Sequence, residues 1–317
     1  MLVWVDDIIV AACNDYVMCE IKHLLKNRFK LRDLGQLTWF LGIQFIQENG
    51  CIKMNQTQYL TRLLEKYNMA NCKPRPTPCE MKLNLSSDAT SECSVNYREI
   101  VESFIYAMTC TRPDLCWIVT VLSQHLANPS EEHSVALKHV LRYLKGTMHF
   151  ELCFRKCDDG LHLTGFSDAS WASSDDRKSV TGYCFCLNKN GSLLSWKSKK
   201  QPTVALSSCE AEYMALAACV QEGLFLTHLL HDIDPCCQYE PFTVFEDNQG
   251  AIALVENPVH HQRSEHNYIR YHIIRDQCDR GNVNVEYKPS SDMVADILTK
   301  PLSRHMLSQF KDFLFGK

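Results

Sequence analysis

The chain has 317 residues, of which 45% are hydrophobic and 22% charged, and this ordinary composition excludes a disordered or fibrous protein. A formal net charge of −4 is atypical of a protein that binds nucleic acid over its whole surface, so any nucleic-acid site must be confined to one part of the surface. The 17 cysteines are odd in number and scattered, which is typical of reduced thiols in an intracellular protein of the cytoplasm or nucleus. No apolar run approaches the roughly 20 residues that a membrane helix needs, so we expect no transmembrane segment and no secretion.

The N-terminal part of the sequence predicts two hairpins, each followed by a helix. Residues 1–12 place two apolar runs around Asp6 and Asp7, which predicts a hairpin with this acidic pair at its tip. The turn pair Asn49-Gly50 predicts the second hairpin. The predicted helices cover 15–29 and 56–70.

A predicted linker and a group of helices come next. Residues 71–92 are rich in Pro, Ser and Lys, as linkers are. Residues 97–146 predict helices that are broken at Arg112-Pro113 and at Asn128-Pro129. We place a domain boundary between residues 157 and 158.

After residue 158 the order of elements changes. Three strand-like runs are followed by alternating helices and strands, which predicts an α/β fold with a mixed sheet covered by helices. The predicted strands are LHLTGFSDA, SVTGYCFCL, GSLLSWKS, PFTVFED and NVNVEYKP, with a hairpin turn at Asn190-Gly191. The predicted helices cover 208–231, NQGAIALVEN, 263–279, DMVADILTK and HMLSQFKDFLF.

Two aspartates follow apolar strands in this second half. Asp168 lies in GFSDASWA and Asp247 in VFEDNQGA. Strand ends are where α/β sheets place their chemistry, and converging carboxylates are typical of metal-assisted hydrolysis. For each aspartate alone, the alternative is a structural role as a turn or helix-capping residue.

Helical periodicity chooses between two acids in the helix predicted at 208–231. Glu212 shares a face with Leu216, Cys219 and Gly223, which should pack on the sheet. Glu210 lies about 200° away around the helix, at about 100° per residue, and suits a solvated or capping role. Glu212 is therefore the predicted ligand.

The last candidate carboxylate is Asp296, in SSDMVADILTK. Its position among Val294, Ile297 and Leu298 predicts that it points partly inward. Asp292 competes with it, but an N-cap is the more ordinary role for an aspartate at the start of a helix.

A local basic segment is the candidate nucleic-acid surface. Six basic residues and no acidic ones lie between residues 177 and 200. Such a patch can contact phosphates, although a solvated lysine face explains the same pattern. The candidates are Arg177, Lys178, Lys197, Lys199 and Lys200.

Taken together, these segments resemble the C-terminal part of a copia-type LTR retrotransposon Pol polyprotein, over essentially the whole chain. The segments that carry the resemblance are WVDDIIVA, FKLRDLGQLTWFLGI, YREIVESFIYAMTCTRPDL, SDASWASSDDRKSVTGY, SWKSKKQPTVALSSCEAEYMAL, EDNQGAI and ADILTKPL.

For the second half, the resemblance implies a ribonuclease H domain that cleaves the RNA strand of RNA–DNA hybrids. It implies a five-stranded mixed sheet and two Mg²⁺ ions, with Mn²⁺ as an alternative. The family's metal-binding carboxylates match Asp168, Glu212, Asp247 and Asp296, and its substrate-side helix matches Arg263 and His266. Many related hydrolases have a histidine before the last catalytic helix, and residues 288–291 contain none.

For the first half, the resemblance implies the end of a reverse transcriptase. The domains expected are a palm and thumb remnant at 1–70, a linker with connection helices at 71–157, and the ribonuclease H-like domain at 158–317. Asp6 and Asp7 match the paired polymerase aspartates, but Trp4 replaces the usual tyrosine and the third aspartate has no match. We therefore expect no polymerase activity from this chain alone, and the N-terminal portion of the enzyme is a candidate partner.

Two alternative interpretations stay open at this stage. The chain could be a degenerate, non-catalytic transposon fragment that at most binds nucleic acid. The histidines of HHQRSEHNYIRYH could bind zinc, although zinc sites usually include cysteine partners and no nearby cysteine pair is present.

Overall fold

The structure is a computed structural model, and it describes residues 1–83, 85, 93, 95–156, 160–174, 176–188, 193–235, 240–256 and 273–316. Within these ranges the chain forms a two-stranded hairpin, a four-stranded antiparallel sheet and a five-stranded mixed sheet.

The hairpin and the four-stranded sheet come first. The hairpin pairs β1 (Leu2–Trp4) with β2 (Asp7–Ile9), so Asp6 lies in the turn and Asp7 pairs with Trp4. The four-stranded sheet has the order β3-β4-β5-β6, and its turn at Asn49-Gly50 confirms the predicted hairpin. Its strands are β3 (Trp39–Phe40), β4 (Ile43–Glu48), β5 (Cys51–Asn55) and β6 (Leu152–Arg155).

Helices α1 to α5 belong to this part of the chain. They are α1 (Asp15–Arg28), α2 (Thr57–Lys66), α3 (Tyr97–Cys110), α4 (Cys116–Ser123) and α5 (Glu131–Thr147). The breaks predicted at residues 112–113 and 128–129 are confirmed, the first as a 3-10 turn at Pro113–Leu115. The described residues between 71 and 83 contain no helix or strand, as expected of a linker.

The second half of the chain forms the five-stranded sheet. Its strand order is β11-β10-β7-β8-β9, with β7, β8 and β9 antiparallel and β10 and β11 parallel to β7. The strands are β7 (Leu163–Ser170), β8 (Val180–Leu187), β9 (Leu193–Lys200), β10 (Phe242–Glu246) and β11 (Val283–Tyr287). This mixed sheet with flanking helices confirms the predicted α/β fold class, while the predicted turn at 190–191 lies outside the described residues.

Four helices follow β9 in the described part of the chain. They are α6 (Ser208–Ile233), α7 (Gln249–Glu256), α8 (273–279) and α9 (Arg304–Phe315). Only the end of the helix predicted over 263–279 falls within the described residues. By length and composition alone α6 could cross a membrane, but it packs on β7, β8 and β10 as the central helix of a core does.

The segment between β11 and α9 corrects one prediction. DMVADILTK is not an α-helix, because it forms 3-10 turns at Ser290–Asp292 and at Val294–Leu298. Every residue from 293 to 299 is buried, so contacts on all sides, rather than one helical face, determine this backbone.

Close packing against Gly182 of β8 holds this segment in place. A Cβ at Gly182 would lie 2.5 Å from Thr299 Cγ2 and 2.8 Å from Leu298 Cβ. Gly182 is also the register partner of Asp168 on β7. The glycine therefore lets residues 294–299 approach the strand pair that carries Asp168.

Candidate active site

The first carboxylate of the site is on the central strand β7. Asp168 is only 3% exposed, and its Oδ2 accepts a hydrogen bond from the Thr299 hydroxyl. Burial raises the pKa of Asp168, and the nearby charge of Lys300 works against this rise. Asp168 thus lies between the sheet and the turn at Val294–Leu298.

The two acids at the start of α6 have different roles. The Ser207 hydroxyl accepts from the Glu210 backbone N–H at 3.1 Å, and Glu210 Oε2 accepts from the Leu206 N–H at 2.7 Å. Glu210 is therefore a capping acid, which confirms the expectation from periodicity. Glu212 instead faces the sheet and is 7% exposed.

Glu212 lies in surroundings that disfavour its charge. Its Oε2 is buried and has no hydrogen-bond partner within the described part of the chain. Burial raises the pKa of Glu212 strongly, and the carboxylates of Glu246, Asp168 and Asp247 raise it further. A buried acid of this kind needs either a proton or a cation.

Asp247 follows directly after β10. Asn248 Oδ1 accepts from the Ala251 N–H at 3.0 Å and caps α7, so Asp247 does not serve as the helix cap. Its own Oδ2 accepts a hydrogen bond from Ser290 Oγ at 2.6 Å. Ser290 lies in the loop that follows β11, so a hydroxyl from this loop contacts the site carboxylate.

The fold brings three of the four predicted ligands together. Carboxylate oxygens of Asp168, Glu212 and Asp247 all lie within 4.8 Å of one another. Because Mg²⁺ and Mn²⁺ prefer oxygen ligands, this group could hold a divalent metal.

The fourth predicted ligand, Asp296, lies beside Asp168 and also contacts a lysine. It is 2% exposed and lies in the turn at Val294–Leu298. Its Oδ1 is 2.8 Å from Lys300 Nζ. Burial and the charge of Asp168 raise the pKa of Asp296 to about 7, although Lys300 opposes the rise.

Lys300 is a site residue that the sequence analysis missed. Burial disfavours its charge, but Asp168, Asp296 and Asp247 outweigh that effect and raise the pKa of Lys300. Its spacing of four residues from Asp296 was a usable signal, since such pairs meet on helical turns.

Glu246 was also missed. It is fully buried, and Oε1 accepts from the Asn248 N–H at 3.2 Å. Burial raises its pKa well above the usual range, opposed by the bond from Asn248. Alternation along β10 puts Phe242, Val244 and Glu246 on the buried side, and that alternation could have identified Glu246.

The predicted basic surface is only partly available to a ligand. Lys197 and Lys199 are exposed on β9, at the edge of the sheet, and Arg177 is exposed in the loop before β8. Lys200 Nζ lies 2.9 Å from Asp176 Oδ1, and Lys178 Nζ lies 3.8 Å from Asp176 Oδ2. Asp176 therefore neutralises part of this patch.

The remaining predicted residues are exposed or lie outside the described ranges. Asp6 and Asp7 are exposed at the N-terminal hairpin. Arg263 and His266, like the histidines at 260, 261 and 272, lie outside the described residues. The roles assigned to all of these side chains stay predictions.

Comparison with known proteins places the chain in a family. A model described as reverse transcriptase (RNA-dependent DNA polymerase) matches residues 1–81. The Pol polyprotein from transposon TNT 1-94 of Nicotiana tabacum is 36% identical over 325 residues, which cover 99% of this chain and 24% of that protein. The Pol polyprotein from transposon RE1 of Arabidopsis thaliana is 38% identical over 313 residues, 98% of this chain and 21% of that protein.

The chain belongs to the Pol polyproteins of copia-type retrotransposons. This copia-type Pol chain spans about a quarter, or less, of the length of these two relatives. Among solved structures, LC11-RNase H1 in complex with an RNA/DNA hybrid is 14% identical, with a TM-score of 0.33, covering 43% of this chain and 93% of that one.

Proposed function

We propose that this copia-type Pol chain hydrolyses the RNA strand of RNA–DNA hybrids, using divalent metal bound by Asp168, Glu212, Asp247 and Asp296. The observation that supports the proposal best is the convergence of the first three carboxylates within 4.8 Å. Their strand-end and helix-face positions on a mixed sheet suit metal-assisted phosphodiester hydrolysis.

The chemistry of the site fits a divalent cation. Glu212 is buried with one unpartnered oxygen in the described structure, and the carboxylates that surround it are costly to charge together. When bound, a pair of Mg²⁺ or Mn²⁺ ions would supply an activated water and neutralise charge at the scissile phosphate.

The chain's own residues would orient this chemistry. Thr299 holds one oxygen of Asp168, and Ser290 holds one oxygen of Asp247, so both carboxylates have a restricted orientation. Lys197, Lys199 and Arg177 are exposed and can contact the phosphates of a hybrid. Contacts to the backbone and 2′-hydroxyls would make cleavage largely independent of sequence.

Cleavage of a labelled RNA–DNA hybrid tests the proposal with a matched pair of variants. Asp247→Asn removes a ligand charge from a half-buried position, so we expect the fold to survive and cleavage with Mg²⁺ to fall at least a hundredfold. Asp292→Asn, at an exposed aspartate near the same loop, should retain activity. Lack of cleavage by folded wild-type protein would favour a non-catalytic fragment.

A further inference from the structure

The four predicted ligands form two unequal groups. Asp168, Glu212 and Asp247 approach one another closely, and the strongest charges around Glu212 are all carboxylates. Asp296 instead has a cation in contact, because Lys300 Nζ lies 2.8 Å from its Oδ1. The strongest charges around Glu212 are therefore all negative, whereas Asp296 has an ammonium in contact. Asp168, which lies between them, also feels the charge of Lys300.

Lys300 places a positive charge at the Asp296 side of the site. Its charge is felt by Asp168 and Asp247 as well as by Asp296. A lysine ammonium is a compact point charge and competes with metal ions for the same carboxylate oxygens. Two cations in adjacent positions also repel each other, most strongly where water is excluded.

The ammonium of Lys300 is nevertheless able to move away from Asp296. Its side chain is 41% exposed, whereas that of Asp296 is only 3% exposed, so the ammonium lies at the open side of the pair. Its flexible four-carbon stem lets the charged end move to solvent while the stem stays packed.

We propose that Lys300 is a built-in counter-ion that limits the protein without nucleic acid to one divalent metal, held by Asp168, Glu212 and Asp247. A second metal binds at the Asp296 side only after Lys300 has moved away. A substrate phosphate gives the ammonium an alternative partner, so the lysine couples metal loading to substrate. This inference rests on the proposed metal-dependent function.

Counting bound Mn²⁺ tests this role without measuring activity. Free Mn²⁺ is titrated by electron paramagnetic resonance against wild type, Lys300→Met and Lys300→Arg, with no nucleic acid present. We expect one ion per chain for wild type, two for Lys300→Met, which keeps the stem but loses the charge, and one for Lys300→Arg. Circular dichroism confirms that each variant is folded, and Lys300→Gln replaces Lys300→Met if the latter is not.

The outcomes separate this inference from the proposed function. Two ions in wild type, or one ion in a folded Lys300→Met or Lys300→Gln protein, would overturn the counter-ion role. No ion in wild type would contradict the metal site itself, and with it the proposed function. Asp247→Asn, which removes a ligand from the first group, should bind no ion at concentrations that saturate wild type.

Discussion

At the scale of single residues, the folded protein favours the protonated form of the site carboxyls more than water does. Burial and mutual repulsion raise the pKa values of Asp168, Glu212 and Asp296 in the folded protein. Carboxyls of an unfolded chain titrate near pH 4. The metal-free folded protein therefore binds more protons than the unfolded chain. For Asp296, this difference extends from about pH 4 to about pH 7.

This difference predicts how stability depends on pH. A raised carboxyl pKa means that the free energy of unfolding decreases as pH rises through this window. We expect the melting temperature in EDTA to fall between about pH 4.5 and about 7, and Mg²⁺ to restore it more at the higher pH, because metal binds deprotonated carboxylates. Calorimetry with and without Mg²⁺ measures both effects.

Asp296→Asn is the control for the contribution of that carboxyl. Its melting temperature in EDTA should change less with pH than that of wild type, because one titrating group with a raised pKa has been removed. A variant whose pH dependence equals that of wild type would show that Asp296 does not contribute to the linkage.

Sequence periodicity identified residues whose orientation depends only on the helix or strand that contains them. Glu212 was separated from Glu210 by helical geometry alone, and α6 carries both where that geometry predicts. Lys300 and Glu246 were missed although spacing from Asp296 and alternation along β10 pointed to them, whereas contacts between elements that are distant in sequence could not be predicted. The Thr299 hydroxyl, for example, reaches Asp168 across 131 positions of the chain.

At the scale of elements, the approach of the 294–298 turn to β8 depends on Gly182. Gly182→Ala would place a Cβ within 2.5 Å of Thr299 Cγ2 and 2.8 Å of Leu298 Cβ. Overpacking of this kind costs about 1–3 kcal/mol of stability. We expect the turn to shift from the sheet and move Asp296 away from Asp168, which lowers both the melting temperature and hybrid cleavage.

A second substitution tests this mechanism. Thr299→Ser removes Cγ2 but keeps the hydroxyl that bonds Asp168, so adding it to Gly182→Ala should recover part of the lost stability. Calorimetry of both single variants and the double variant gives the coupling free energy. Strictly additive effects would show that the strain lies elsewhere.

At the scale of the whole molecule, one hydrophobic core crosses the predicted domain boundary. Its buried members include Phe104 of α3, Leu141 of α5, Cys184 of β8 and Leu314 of α9. Trp196 of β9 also donates its indole N–H to the Met108 carbonyl at 2.8 Å. The boundary at 157/158 stays a prediction, and these contacts favour cooperative unfolding across it.

A buried ion pair lies within this shared core. Arg112 is fully buried, and its guanidinium donates to both oxygens of Asp114 at 2.9 and 2.7 Å and to the Thr147 carbonyl at 3.2 Å. The Tyr143 hydroxyl donates to Asp114 Oδ2 at 2.6 Å. This network joins the 3-10 turn at Pro113–Leu115 to the end of α5, far in sequence from the carboxylate site.

Removing this guanidinium tests how far the two halves unfold together. Arg112→Met leaves Asp114 buried without its counter-ion, which costs about 3–5 kcal/mol. Since the core is continuous, we expect a single calorimetric transition at a lower temperature, in which the carboxylate site melts together with α3 to α5. Arg98→Met, at an exposed arginine of α3, is the matched control and should change stability by no more than about 0.5 kcal/mol. Two resolved transitions, with only the first displaced by Arg112→Met, would contradict the shared core and support the boundary at 157/158 as an energetic division.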